Sequence, residues 1–540
     1  MNFSEASTIC QLMRISRELY HHGPKLLISP IVMLESERAL KSFILFLSAE
    51  APYRVKFLKG ISMSIGALSA PVAQLLVDFL HRFGSMIKLD ILHVADAEAF
   101  FDSSPKLPVA FAALAHIDEL ELVGVDLTTS RMLRSAQATF NRVVLCMTEI
   151  PPQDEDEEDD EGGVYQPDGD VLGGNHDIRR YRNPIYLLRN SQATLNDLTV
   201  DWCITGSPPN VLYTERYPHL TTLNLLDNEL PQTHHYARAF PNLASLLVKT
   251  DPKEIKRLNA LPDAFDLHRA KNESLQLRHG SWNALERVNG TLMDLYLLGL
   301  SCLVKQLLIT PTASNDIDVP MFHAVMTPAQ PAYIHVDMVD VSVLYNGSFG
   351  EAMSGPSVAA LRSLDLSLAP ALHVPPAEID ISLALDMLID TIRGLSLHTL
   401  GLHICCTGLQ FPILNENRPD LKSAQSYFTR DPLWPAEAQL LALDFAELAC
   451  RIRAAAPPIR TVVLSMAGHR VRPSGVLVVG EEDARALGDG AVEAIPLRLV
   501  GELQKAWTEA AESIKVVTQA TARATSGELA KELERMIAGM

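Results

Sequence analysis

Apolar residues recur along this chain in a fixed phrase, Leu-x-x-Leu-x-Leu, often closed by an apolar residue or Asn three places later. It reads Ile117, Leu120, Leu122 and Val125, then Leu195, Leu198, Val200 and Cys203, then Leu220, Leu223, Leu225 and Asn228. It returns as Leu292, Leu295, Leu297 and Leu300, as Leu361, Leu364 and Leu366, as Leu397, Leu400, Leu402 and Cys405, and as Ile459, Val462 and Leu464. Weaker copies start at Leu58, Met86, Phe140, Leu243 and Val304. The alternation inside the phrase has the period of two that a strand buried on one face requires. Segments between phrases carry the helical period instead. Residues 71–83 place Val72, Leu75, Leu76, Phe79 and Leu80 on one helix face.

A strand phrase followed by a helix, returning after 28 residues from Leu58 to Met86, resembles the leucine-rich repeat with helices on its outer side. That resemblance implies an α/β leucine-rich-repeat solenoid of about a dozen units, with a curved parallel sheet inside, helices outside and helical caps at both ends. The expected divisions are a helical N-terminal cap over residues 1–52, the solenoid over 53–468 and a helical C-terminal region over 469–540. Later phrases are 36 residues apart from Leu361 to Leu397 and 62 from there to Ile459, which predicts inserted loops or degenerate units. Between residues 250 and 360, Leu275-x-Leu277, Leu292 and Val304 crowd too closely for three units, so one of them is expected on a helix.

The N-terminal segment reads as an amphipathic helix with Ile9, Leu12, Met13, Ile15, Leu19 and Tyr20 at spacings of three and four, ended by Gly23-Pro24. A short strand at residues 31–34 and a helix over 37–47 follow. Residues 151–180 are rich in acid, Gly and Pro and almost devoid of apolar side chains; they cannot offset their ordering entropy and predict a disordered acidic insertion.

Charge and candidate chemistry narrow the function. The net charge is −19, and eight of those charges lie in the run from Asp154 to Glu161. A nucleic-acid binder would need a basic stripe instead. No apolar run is long enough to predict a membrane span, and the start of the chain lacks a signal-peptide layout. The seven Cys residues are scattered without CxxC spacing, so neither a zinc site nor a disulfide framework is expected. The expectation is a soluble monomer of a reducing compartment, cytoplasm or nucleus. Asp168-x-Asp170 lacks the spaced ligands of a calcium loop. His398, His403, Cys405 and Cys406 alternate poorly for one metal, and His21-His22 and His234-His235 read as solvent-facing pairs. No nucleophile elbow, zincin motif or phosphate loop occurs. The reading is of a non-enzyme without metal or cofactor.

If the phrase points its leucines inward, its intervening residues face the concave side of the sheet. The clear copies place Glu119, Glu121, Asp197, Asp201, Asn224, Asp294, Tyr296, Asp365 and His403 there, along with Thr199, Thr222 and Ser465. Six carboxylates and no Lys or Arg occur in this set. Such a face would select a basic segment of a protein partner by charge complementarity; the alternative is a solvated sheet face in an acidic protein.

Residues 7–20, STICQLMRISRELY, resemble the second half of an F-box. Ile9 and Leu12 match its Leu positions, Ile15 its Val, Ser16 its Cys, Arg17 its Arg, and Leu19-Tyr20 its aromatic. The run that follows, through residue 63, is similar to fungal F-box/leucine-rich-repeat proteins. Those are substrate receptors of ubiquitin ligases, so the resemblance implies a Skp-type adaptor and a cullin as partners. Ile9, Leu12, Ile15, Leu19 and Tyr20 would then be the adaptor-binding residues. The Leu-Pro-x-Glu-type helix that opens an F-box is not found ahead of Met1-Asn2-Phe3, so the match is to a truncated or degenerate module. A plain repeat scaffold whose residues 7–20 cap the first unit is the other reading.

Overall fold

A computed structural model describes residues 13, 15, 17–28, 31–149, 180–204, 214–261, 263–310, 317–345, 347–370, 378–406 and 433–480. The acidic insertion and the helical patterns expected after residue 496 therefore lie outside the described residues, apart from Arg180. The chain divides into two compact units. The first holds Met1–Thr312, Asp318–Ile334 and Pro356–Ala360, and the second Ala313–Ile317, His335–Gly355 and Leu361–Met540.

The first unit is built on parallel strands that lie side by side in chain order: β1 (Ile31–Leu34), β2 (Gly60–Met63), β3 (Leu89–Val94), β4 (Ile117–Val125), β5 (Arg142–Met147), β6 (Asp197–Asp201), β7 (Thr222–Asn228), β8 (Ser245–Thr250), β9 (Ala284–Thr291) and β10 (Leu303–Thr310). Parallel neighbours need a crossover, and helices supply most of them. The register stacks the inward residues of the phrase: Leu120 opposes Leu92 and Val143, and Leu198 opposes Val143 and Leu223. These side chains are almost wholly buried, whereas Glu119, Glu121, Thr199 and Asn224 between them are half-buried or exposed. Each leucine so enclosed contributes roughly 1.5–3 kcal/mol.

Helix Ala70–Phe83 illustrates the layer behind the sheet. Pro71 in its first turn suits a backbone that needs no donor there, and Val72, Ala73, Leu76, Val77, Phe79, Leu80 and Phe83 are buried. Phe100, Phe101 and Phe111 meet edge-to-face with ring centroids 5.2–5.7 Å apart. Asn228 shows why a polar residue can close the phrase. Its buried side chain accepts from the backbone N–H of Cys203 at 2.7 Å and donates to the Val200 carbonyl, so the neighbouring strand's end is satisfied.

Several expectations are corrected. The sheet starts at Ile31, inside the segment assigned to the cap, because β1 pairs in register with β2. Pro24 lies inside helix Arg17–Ile28 and does not end it; the ring only forfeits the bond to the carbonyl of Tyr20. The phrase placed at Met86 is shifted by three. Leu89, Leu92 and Val94 oppose Ile117, Leu120 and Leu122, while Met86 is exposed in a short 3-10 turn. His234 and His235 are buried, not solvent-facing. In the crowded stretch, Leu275 and Leu277 lie on helix Ala264–His279 and Leu292 opens helix Leu292–Leu298, so only Val304 begins a strand phrase.

The second unit carries the main part of β11 (Tyr333–Asp340), then β12 (Ser363–Ala369), β13 (Thr399–Cys405), β14 (Thr461–Ala467) and β15 (Gly475–Val479). Strands β12, β13 and β14 are parallel, and Leu364, Leu400 and Val462 stack in register. β15 runs antiparallel to β14. This overturns a wholly helical region after residue 468: the Val-rich run Gly475–Val479 follows a turn at Gly468, whose φ of 75° favours glycine. Buried Glu437 takes two hydrogen bonds from Arg470, at 3.2 and 2.9 Å, and so ties helix Pro435–Ala442 to the segment after β14.

Candidate protein-recognition face

The outward positions of β3 to β10 form registered rows on the first unit. One row runs Ile91, Glu119, Arg142, Asp197, Thr222, Ser245, Arg287 and Gln306. The next runs His93, Glu121, Val144, Thr199, Asn224, Leu247, Asn289 and Leu308. Five of the sequence-derived residues, Glu119, Glu121, Asp197, Asp201 and Asn224, are therefore brought onto one surface.

That surface is not uniformly acidic. Arg142 stands between Glu119 and Asp197, with its Nη1 3.5 Å from Glu119 Oε2. Lys249 pairs with Asp227 at 2.8 Å and Lys305 with Glu286 at 2.5 Å. The cations were missed because they sit on weak or unrecognised copies of the phrase. Exposed pairs of this kind add little stability, about 0–1 kcal/mol; they leave a mosaic of alternating charge and apolar steps.

Local chemistry differs along the rows. Burial pushes the Asp197 carboxyl up, against the pull of Arg142. Burial also raises Asp201, which accepts from the Cys146 thiol at 3.5 Å. Asn224 Nδ2 donates to Thr199 Oγ1 at 2.9 Å, joining β7 to β6 across the face. His93 Nδ1 lies 2.7 Å from Ser62 Oγ and its Nε2 is 4.0 Å from Glu121.

Asp294 and Tyr296 are not on this face. They belong to helix Leu292–Leu298, where Leu292 and Leu295, three apart, satisfy a helix as readily as the phrase. Buried Asp294 closes a capping box with Thr291, and its Oδ1 accepts from the backbone N–H of Thr250 at 2.9 Å. Tyr296 donates to Asp266 and receives the Arg269 guanidinium over its ring at 4.6 Å. The strand of that unit is β9, reading Leu285-x-x-Val288-x-Gly290. Its last position must be Gly, because a Cβ at Gly290 would stand 2.8 Å from the Val248 carbonyl oxygen.

In the second unit, Asp365 and His403 do come together. Asp365 receives His403 Nε2 at 2.7 Å and His335 Nδ1 at 3.2 Å, and His403 Nδ1 lies 2.6 Å from Ser465 Oγ. Burial works against the Asp365 charge, but the two imidazole hydrogen bonds prevail and hold it well below the usual carboxylate range. Because a carboxylate only accepts, both imidazole nitrogens facing it carry protons. The Asp365 side chain is 13% exposed and that of His403 7%, so this cluster is more a brace than an open contact surface. His335 on β11 belongs to a phrase the pattern did not reveal, since Pro331 stands where its first leucine would be.

Of the N-terminal residues, Ile9 and Leu12 lie outside the described residues, and the side chain of Leu19 is also undescribed. Ile15 is 79% exposed. Tyr20 is partly exposed and stacks on Arg54, whose guanidinium lies 5.1 Å from its ring centroid and 4.3 Å from that of Phe46. Met13 is buried. Ile15 is thus exposed while Tyr20 is engaged with the body of the unit.

Among the described residues, no group of three or more His, Cys, Asp or Glu is placed to hold a metal ion. No helix among them is long and apolar enough to cross a membrane. No protein-family model matches the chain, and no curated protein matches it.

Proposed function

We propose that the protein is a leucine-rich-repeat receptor that recognises another protein on the open face of its parallel sheet. The observation that carries this reading is the separation of roles along the strands. Leu120, Val143, Leu198, Leu223 and Leu246 are committed to the core, which leaves Glu121, Val144, Thr199, Asn224 and Leu247 as a continuous half-exposed row with no enclosed role. A mixed polar and apolar row of this kind suits a protein partner, in which charge sets register and apolar steps supply affinity. The reading involves no catalysis and no cofactor, and it places the protein in the cytoplasm or nucleus.

The resemblance of residues 7–20 to an F-box extends the proposal: the receptor delivers its partner to a cullin-type ubiquitin ligase through a Skp-type adaptor. The exposure of Ile15 favours this arm. The seating of Tyr20 on Arg54 and the burial of Met13 favour a plain scaffold whose first helix caps the sheet. Capture of a purified Skp-type adaptor by the intact chain, lost in a Leu12→Asp/Ile15→Asp variant that still folds, supports the ligase arm. No capture by the intact chain leaves a receptor without a ligase connection.

A further inference from the structure

We propose that helix Ala264–His279 is a self-association surface, which pairs in parallel with the same helix of a second copy of this chain. The pairing goes beyond the receptor reading, uses a different surface, and replaces the monomer expected from the sequence.

This helix buries polar groups and exposes leucines. Its inward stripe holds Asn272 and Gln276, both 2% exposed. Asn272 Nδ2 donates to the carbonyls of Pro231 and Leu297 at 2.8 Å, and Gln276 Nε2 donates to that of Gly299 at 2.7 Å. These satisfied polar side chains anchor the helix to its unit. The opposite stripe is Leu267, Ala270, Ser274 and Leu277, spaced three, four and three. Leu267 is 56% and Leu277 83% exposed, Ala270 is exposed and Ser274 half-buried. That spacing is a seam of two heptads, with Leu267 and Ser274 at the first core position and Ala270 and Leu277 at the fourth.

Scattered surface leucines are ordinary; the charges beside these two decide what covers them. Asp266 and Glu273 lie along one flank of the seam, Lys271 and Arg278 along the other. In a parallel pair, each flank meets the opposite flank of the second helix, five residues on. Asp266 then faces Lys271 of the second copy, and Glu273 faces Arg278 of the second copy. Two-fold symmetry repeats both contacts, so all the flanking charges are matched. An antiparallel pair would set acid against acid and base against base. The bonds already present leave room for this. Arg278 is exposed and has no ion pair among the described residues. Glu273 receives Arg269 Nε on Oε1 at 2.8 Å, Asp266 receives Tyr296 on Oδ1, and a carboxylate has a second oxygen to offer. The seam of this 16-residue helix is about 24 Å long, short of a standard interface, so the dimer is a weak one.

The test follows the rate of disulfide linking between copies of the full chain carrying Ala270→Cys, a seam position that faces its own counterpart. Cys10→Ser and Cys450→Ser remove other routes to linking, Cys450 being exposed. Lys256→Cys, exposed on the neighbouring helix Pro252–Asn259, reports random collision. Linking at position 270 should exceed that control by about tenfold or more. Leu277→Asp should slow it about tenfold by removing two leucines from the seam. Arg278→Glu should slow it about threefold, because Glu273 then meets a like charge twice. Adding Glu273→Lys to that variant should restore the rate. Circular dichroism checks that each variant keeps its fold, as substitutions at exposed or half-exposed positions should. The whole pattern supports the parallel pair, and any departure from it overturns the proposal. Faster linking with Arg278→Glu would be the sign of an antiparallel pair, where the change relieves a like-charge contact with Lys271.

Discussion

Two side-chain rows, one in each unit, join the same three chemical groups across three neighbouring parallel strands and end in different states. In the first unit, Ser62, His93 and Glu121 lie straight across β2, β3 and β4 at one register level, and the imidazole stops 4.0 Å short of the carboxylate. In the second, Ser465 and His403 share a level, but His403 reaches diagonally back to Asp365 and closes to 2.7 Å. The residue that permits the diagonal is Gly401, directly opposite Asp365. A Cβ there would stand 2.3 Å from Asp365 Oδ1 and 3.3 Å from His403 Nε2. One missing methyl group thus decides whether a polar row becomes an enclosed brace or stays available at the surface.

The comparison is broken most directly by Gly401→Ala, which should cost about 3 kcal/mol, because it both overpacks the site and separates an enclosed carboxylate from its imidazole donor. Urea-unfolding midpoints check it. Asp365→Asn should cost about 2 kcal/mol, because the amide keeps one acceptor oxygen and turns a donor toward the second imidazole, whereas the counterpart Glu121→Gln should cost less than about 0.5 kcal/mol because its pair is exposed. Equal losses would erase the distinction between brace and open face. Ser465→Ala and Ser62→Ala come last, each at about 1 kcal/mol or below for one hydrogen bond.

Acid should separate the units as well. Burial, helped by neighbouring cationic groups, pushes His234 down to about 3 and His235 to about 4, from an ordinary 6.5. Groups depressed in the fold stabilise it fully above their unfolded value and lose that contribution as pH falls. The first unit should therefore weaken from about pH 6.5 downward through about 4. The Asp365 contribution in the second unit is present above its ordinary 3.8 and is lost only below it. Unfolding midpoints between pH 7 and pH 4.5 should fall in the parent and fall less in a His234→Gln/His235→Gln variant.

The same contrast shows what was legible in the sequence. Inward positions were readable because burial on one face of a strand imposes a period of two, and the stacking of Val143 between Leu120 and Leu198 follows that period. The phrase failed at Leu292, where leucines three apart suit a helix equally well, and so Asp294 and Tyr296 were assigned to a face they do not occupy. It also passed over β9, whose last inward position is Gly290 for lack of room, and β11, where Pro331 stands at the first position of the phrase. Arg142 escaped notice on a weak copy, and with it the neutralisation of the expected acidic surface. The His335–Asp365–His403 cluster depends on side chains meeting between strands, and nothing in a one-dimensional spacing reports which diagonal a glycine has opened.

The most direct test of the central claim is comparative affinity purification with the intact chain and the folded variant Glu121→Lys/Thr199→Lys/Asn224→Lys, three substitutions on one row of the open face. Recognition on that face predicts that protein partners held by the intact chain are lost from the variant, while its circular dichroism matches the parent and its stability falls by no more than about 2 kcal/mol, for one cross-strand hydrogen bond lost and two lysines placed opposite each other. Retention of the same partners in the same amounts would contradict it.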